Sequence, residues 1–350
     1  MVKDGWSIWC MLEQRSTGLI WMGLQDGKII VYDPSDSSSK IFMPAIFEGR
    51  TIRQITEDKQ GNVWFGSHGG HLVKWEATTA DIDVQAGYHL FIKTGRIQKL
   101  LTDKNGFIWV ATFGKGLYKI DPLSQQSTVF KKNGPPGRRL SEDAPNDILQ
   151  YNDGILMITN GAVDVLNTRT NKITTISTQD GLPSNDVQCL QRDKNGNEWL
   201  GMISGLTRMS HEKKIFILYD RRDGIRYDIF NIAGAFTLPS HNLVFTTDHN
   251  FLVFDPEKMV QKDPPPDVKI LDFKIANNSL LVDSLLKQNK INLEYNKNSI
   301  SISFGTLSFL RNNKNYSITS LIKLMQTGHL QMTVTRRFTV TFHLAPILLK

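Results

Sequence analysis

Asp103-Lys104-Asn105-Gly106-Phe107-Ile108-Trp109-Val110-Ala111-Thr112-Phe113-Gly114-Lys115-Gly116-Leu117 reads as a polar turn, a strand closed by an aromatic, a glycine-rich turn and the start of another strand. The stretch recurs. Asp58-Lys59-Gln60-Gly61-Asn62-Val63-Trp64-Phe65-Gly66 lies 45 residues upstream, and Asp193-Lys194-Asn195-Gly196-Asn197-Glu198-Trp199-Leu200-Gly201 lies 90 residues downstream, two periods away. A fixed period of that size predicts propeller blades, four-stranded units that bury their faces only against one another. The Asp-x-x-Gly turn supplies a residue tolerant of positive φ and an Asp able to cap its own turn. The aromatic packs between blades, and the small residue two positions on lets the next sheet come close.

Working outward, blade one holds Ile8–Leu12, Trp21 and Gly23, blade two runs from Ile52 to Trp75, and blade three from Ile97 to Phe130. Blade four, from Asp147 to Leu166, keeps the apolar alternation but has no tryptophan; blade five includes Trp199 and Gly201, and blade six covers Ile232–Pro256. The fold expected is all-β: about six recognisable blades belonging to a seven-bladed ring whose first part precedes this sequence. After the Pro264–Pro266 run the period stops, and alternating strands at Val268–Ile275, Ile291–Tyr295 and Ser299–Phe304 suit an incomplete immunoglobulin-like sandwich. The expected domains are 1–262, 263–315 and an aberrant tail, 316–350.

The formal charge of +7 suggests an anionic partner until its distribution is read. Tyr295–Lys350 holds seven Lys or Arg and no acid, so the other 294 residues carry 34 basic and 34 acidic groups. A neutral body argues against nucleic acid. No apolar run approaches the roughly 18 residues of a membrane span. Met1–Trp6 lacks the features of a signal peptide, so the sequence reads either as a cytoplasmic chain or as a piece of a longer one. Cys10 and Cys189 occupy equivalent positions in non-adjacent blades, too far apart for a disulfide, and are expected to be free buried thiols.

Chemistry-bearing motifs are sparse. His68 and His71 have no convincing third metal ligand and read as loop histidines. Asp58, Asp103 and Asp193 are one turn position repeated, which makes them structural rather than catalytic. Lys131, Lys132, Arg138 and Arg139 read as a solvated loop. No catalytic residue, metal site or cofactor is expected. A propeller binds at the mouth of its channel. The turns between blades and those after the Trp strand should meet there, placing Gln25, His68, Arg96, Phe113, Lys115 and Asn185 at one mouth. That mixture of aromatic and hydrogen-bonding groups suits sugars.

The repeats resemble the two-component regulator propeller repeat, Asp-x-x-Gly-x-hydrophobic-Trp-hydrophobic-Gly-Thr-x-x-Gly-Gly-Leu, and the segment from Pro264 resembles the start of the three-tyrosine domain that follows such propellers. Proteins similar to this are sensor ectodomains of hybrid two-component histidine kinases of Bacteroides-type bacteria. The resemblance implies a periplasmic region that recognises an oligosaccharide or other small ligand, works as a homodimer and signals through a membrane helix to a kinase; neither helix nor kinase is in this sequence. Past Phe309 the family pattern is lost. A shifted frame can restore its Trp, acidic turn and Leu-Pro-Pro-Gly, so roughly the last 30 residues read as out of frame, their basic charge without function. Two other readings stay open: a magnesium-dependent propeller lyase resembling the streptogramin lyases, and a protein-interaction scaffold.

Overall fold

The computed structural model describes residues 7–79, 81–210, 215–225, 229–259, 268–275, 278–282, 299–306, 330–333 and 338–343; the proline run and Ile291–Tyr295 lie outside them. The chain divides into two units, 1–259 and 260–350.

The first unit is a six-bladed β-propeller. Each blade is an antiparallel meander in chain order, four-stranded in blades one to five and three-stranded in blade six. The innermost strands are Ile8–Glu13, Ile52–Glu57, Ile97–Thr102, Asp147–Asn152, Val187–Arg192 and Phe230–Thr237. Five buried clusters form the core, one at each junction from blades one and two to blades five and six. Trp21, Phe65 and Trp75 fill the first, Trp64, Ile97 and Val110 the second, and Trp199, Phe230 and Phe245 the last. Among the described residues no buried cluster joins blade six to blade one, and Met11 of blade one and Phe251 of blade six are exposed.

The repeated residues hold the blades as the sequence implies. Gly61, Gly106 and Gly196 take φ of 82°, 95° and 83° in their turns. Asp103 Oδ1 accepts the N–H groups of Asn105 and Phe107 at 2.9 and 3.0 Å. Its Oδ2 accepts the Trp109 indole N–H at 2.8 Å, and Asp58–Trp64 and Asp193–Trp199 repeat that bond at 2.9 Å. In blade one Gln14 replaces the Asp and still takes the Trp21 indole at 2.9 Å. A Cβ on Gly66 would come within 2.6 Å of Ile97, and one on Gly201 within 2.7 Å of Cys189 and 2.9 Å of Phe230, so the next blade, with Cys189 of its own blade at Gly201, keeps this residue small.

Blade four, which lacks the Trp, is tied differently. Its fully buried Asp164 accepts from Ser141 N–H at 2.8 Å and from Thr175 Oγ1 at 2.6 Å. An ion pair between half-buried Lys99 and buried Asp147, Nζ to Oδ1 at 3.3 Å, links blades three and four.

Both cysteines are free. Cys189 is buried and burial pushes its thiol well up; Cys10 is only part-exposed, and burial pushes its thiol up to about 12. With so little thiolate present, the native protein is expected to react with a disulfide reagent at pH 8 no faster than it unfolds. Labelling of either thiol within the mixing time would contradict this.

The second unit contributes one five-stranded antiparallel sheet. Its order is Asn278–Leu280, Val268–Ile275, Ser299–Thr306, Phe338–His343, Leu330–Thr333, so two strands of the tail pair with the sheet.

Candidate ligand site at the propeller mouth

Antiparallel alternation sends every Asp-x-x-Gly turn to one end of the propeller. The turns after the Trp strand and the connections between blades therefore share the other end. There the two loop types are stitched by a recurring backbone bond. His68 N–H donates to Thr51 carbonyl at 2.8 Å, Phe113 N–H to Arg96 carbonyl at 2.8 Å, and Gln25 N–H to Ser7 carbonyl at 3.3 Å.

Over blades two and three the structure brings His68, Arg96, Phe113 and Lys115 into one rim. The Arg96 guanidinium lies 4.6 Å from the centroid of the Phe113 ring, which is 55 % exposed. Gly95, next to Arg96, has space for no side chain: a Cβ there would meet the Phe113 carbonyl at 2.5 Å and the Lys115 stem at 2.9 Å. His68 is exposed; its imidazole is lowered from the usual value by burial first and then by the charges of Arg96, Arg53 and Arg50. Gln25 is exposed on the neighbouring turn of blade one, where Gly27 lies against Arg50.

Asn185 is placed apart. It stands in the connection before blade five, and its side chain accepts from Thr178 N–H at 3.0 Å and donates to Thr178 Oγ1 at 3.3 Å, fixing the loop that carries it.

His71, expected in a loop, is buried in the strand His71–Trp75. Its Nδ1 lies 3.0 Å from Ser67 Oγ and its Nε2 3.4 Å from Glu48. That ring is buried against Ser67, with Glu48 near its other nitrogen, while His68 is exposed on the loop. Among the described residues no three His, Cys, Asp or Glu gather as metal ligands. In the basic loop, Lys132 pairs with Glu142 at 2.7 Å and Arg139 donates to Gly134 carbonyl.

Three rim residues escape the reading of turns alone: Trp9, Arg50 and Arg53. Arg53 stands on an innermost strand. The register shifts between Ile52 and Gln54, which makes Arg53 the extra residue of a β-bulge; Trp9 and Gln188 hold the same place in blades one and five, and Gln98 is the equivalent in blade three. Bulges re-aim a side chain and interrupt the ladder. The signal in the sequence is a large or polar residue directly after the first aliphatic of the strand: Ile8-Trp9, Ile52-Arg53, Ile97-Gln98, Val187-Gln188.

The family described as "Two component regulator propeller" matches residues 47–69 and 181–204, which lie in blades two and five. Histidine kinase P4 of Formosa agariphila is 20 % identical over 286 residues, covering 77 % of this chain and 21 % of that protein. The extracellular domain of the hybrid two component system BT3049 of B. thetaiotaomicron superposes with a TM-score of 0.62 at 20 % identity, over 86 % of this chain and 41 % of that one. Virginiamycin B lyase of Staphylococcus aureus superposes with a TM-score of 0.53 at 15 % identity, over 72 % and 80 %. The chain thus spans about a fifth of the kinase and under half of the ectodomain. The likeness to solved structures is one of fold, a β-propeller, and two segments of that propeller match the regulator repeat.

Proposed function

We propose that this chain is the ligand-sensing part of a two-component sensor, periplasmic and homodimeric in the intact protein, and that it binds an oligosaccharide at the propeller mouth. On this reading the second unit begins a three-tyrosine domain that hands the signal on. The observation that carries the proposal is the division of labour in the repeats. The buried Asp and Trp of blades two, three and five are engaged in holding the blades, whereas Phe113 stands exposed beside Arg96, Lys115 and His68 on one rim. An exposed ring amid hydrogen-bonding groups is the surface a sugar needs: its C–H face stacks and its hydroxyls are read at the edge. Matching regulator repeats and the likeness to extracellular domains of two-component systems support the sensor role.

Alanine at both Phe113 and Lys115 is expected to weaken binding of whichever oligosaccharide a glycan array identifies by at least about tenfold, the loss of one stacking contact and one hydrogen bond. Unchanged affinity in titration calorimetry would remove the mouth from consideration. The fold likeness to virginiamycin B lyase keeps a lyase as the competing outcome: magnesium-dependent turnover of a substrate would replace the sensor reading, while glycan binding without turnover supports it.

A further inference from the structure

The rim over blades one to three is predominantly cationic, its acids Asp26 and Glu48 being paired with Lys28 and with Lys93. Arg50, Arg53, Arg96 and Lys115 have no carboxylate within salt-bridge distance among the described residues. The nearby acids are engaged elsewhere, Glu48 with Lys93 at 2.9 Å and with His71, and Asp26 with Lys28 at 3.6 Å. Two of the arginines are held rather than free. The Arg53 guanidinium lies 5.1 Å from the Trp9 ring centroid and that of Arg96 4.6 Å from Phe113, and neither is strongly exposed. A guanidinium laid on a ring keeps its N–H edge available for a planar, two-oxygen partner.

Part of each edge is unsatisfied. The Nε groups of both Arg53 and Arg96 are buried without a hydrogen-bond acceptor. Gln98, at the bulge position of the next blade, is 1 % exposed, and neither atom of its amide has a partner among the described residues. Buried polar groups without partners carry a cost, and these three stand close together, on adjacent innermost strands and the loop before one of them. Like charge compounds the cost, because burial and then the Arg96 charge lower the Arg53 guanidinium from its usual value. An anion supplies what the two arginines lack, acceptor oxygens for their N–H groups and a charge that turns mutual repulsion into attraction.

We infer that Arg53 and Arg96, flanked by Trp9 and Phe113, form a subsite for the carboxylate or sulfate group of an acidic saccharide. The inference rests on the oligosaccharide-sensing reading and narrows it to a substrate class. The two aromatic faces, 50 % and 55 % exposed, take the sugar rings. The two guanidinium groups take the anion, and Lys115 and Arg50 add long-range attraction.

The test is a glycan array carrying matched neutral, uronate-only and sulfate-only oligosaccharides, followed by titration of the hits with the full chain and with Arg53→Gln, Arg96→Gln and Arg96→Lys variants. Expected are hits in one anionic class, which names uronate or sulfate as the source. Affinity should fall at least about tenfold in each Gln variant, one charge-assisted contact being worth that much, and partly in Arg96→Lys, which keeps the charge but loses the fork. Raising salt should weaken the anionic hits. Urea unfolding of each variant separates lost binding from lost folding, and only variants with the parent midpoint are scored. Hits on neutral glycans that the Gln variants bind equally well overturn the acidic-saccharide inference and leave the sensing reading standing. If no saccharide of any class binds, both fall.

Discussion

Replacing Asp103 by alanine is expected to destabilise the propeller by about 4 kcal/mol, because three hydrogen bonds converge on a carboxylate that is only 3 % exposed. Two backbone N–H groups of the turn lose their cap. The Trp109 indole N–H, on a side chain with no exposed surface, loses its acceptor and cannot reach water. Hydrogen bonds to an ionised group contribute about 1.5–3 kcal/mol each, but the backbone groups of a surface turn recover some solvent, which sets the total below the sum. Asp103→Asn separates the contributions: the amide oxygen can still cap the turn, but its NH2 then faces the indole N–H, donor against donor, for a loss of about 2 kcal/mol. The midpoint of urea denaturation followed by tryptophan fluorescence reads both variants. The same change at Asp58 or Asp193 should cost at least as much, since the Asp–Trp bond repeats within 0.1 Å and each of these carboxylates also accepts from an Asn side chain, Asn62 or Asn197. A variant that kept its midpoint and lost only ligand affinity would return Asp103 to the list of functional groups.

How far the sequence carries this structure depends on whether a feature is local to the repeat. The blade is local. Asp103, Gly106 and Trp109 lie within seven residues, so the turn, its positive φ and the aromatic of the interface follow from one stretch. The indole N–H to carboxylate bond has its cue in the spacing, Trp standing six residues after the Asp in all three repeats: in antiparallel pairing that spacing sets the ring back against the turn. The arrangement of blades is not local. Six periods are legible, but whether blade six meets blade one depends on packing between the ends of the array, and the exposed faces of Met11 and Phe251 have no counterpart in any motif.

The candidate site divides the same way. His68, Phe113 and Lys115 follow the Trp strand by a fixed offset, and Arg96 precedes an innermost strand, so turn geometry gathers them. Asn185 obeys the same geometry yet is drawn to Thr178, a choice made by a loop of irregular length before blade five. Arg53 and Trp9 are missed because strict alternation would assign them to a blade face. One extra residue in the register releases them from that face, and the cue is a single residue in an otherwise apolar strand start.

Removing the charge of Glu198 is expected to stabilise the protein by an amount that grows as pH rises from about 4.5 to about 7. Glu198 pairs across the strands with Arg192, at the position filled by Val63 in blade two and Ile108 in blade three. It has no exposed surface, and neither carboxylate oxygen has a hydrogen-bond partner among the described residues. Burial, opposed in part by its own backbone N–H and then by the Arg192 charge and reinforced by Asp193, pushes its carboxyl up from 4.5 to about 7. The Arg192 guanidinium does not answer the carboxylate, since it lies 4.1 Å from the Tyr151 ring centroid and donates to Tyr151 carbonyl at 2.7 Å. The folded state therefore holds this proton more tightly than the unfolded chain. Below about pH 4.5 both states are protonated and nothing is lost. As pH rises to about 7 the unfolded chain ionises first and stability falls; above that the penalty is complete, about 3 kcal/mol at 1.36 kcal/mol per pKa unit. Glu198→Gln, neutral at every pH, should match the parent at pH 4.5 and exceed it by about that amount at pH 8. Glu198→Val, which restores the residue of blade two, should show the same pH trend with a constant packing gain added. Urea titrations at pH 4.5, 6 and 8 read the difference directly. A gain for Glu198→Gln that did not grow with pH would mean that the carboxylate stays ionised in the fold, satisfied by a partner that the strand register does not supply.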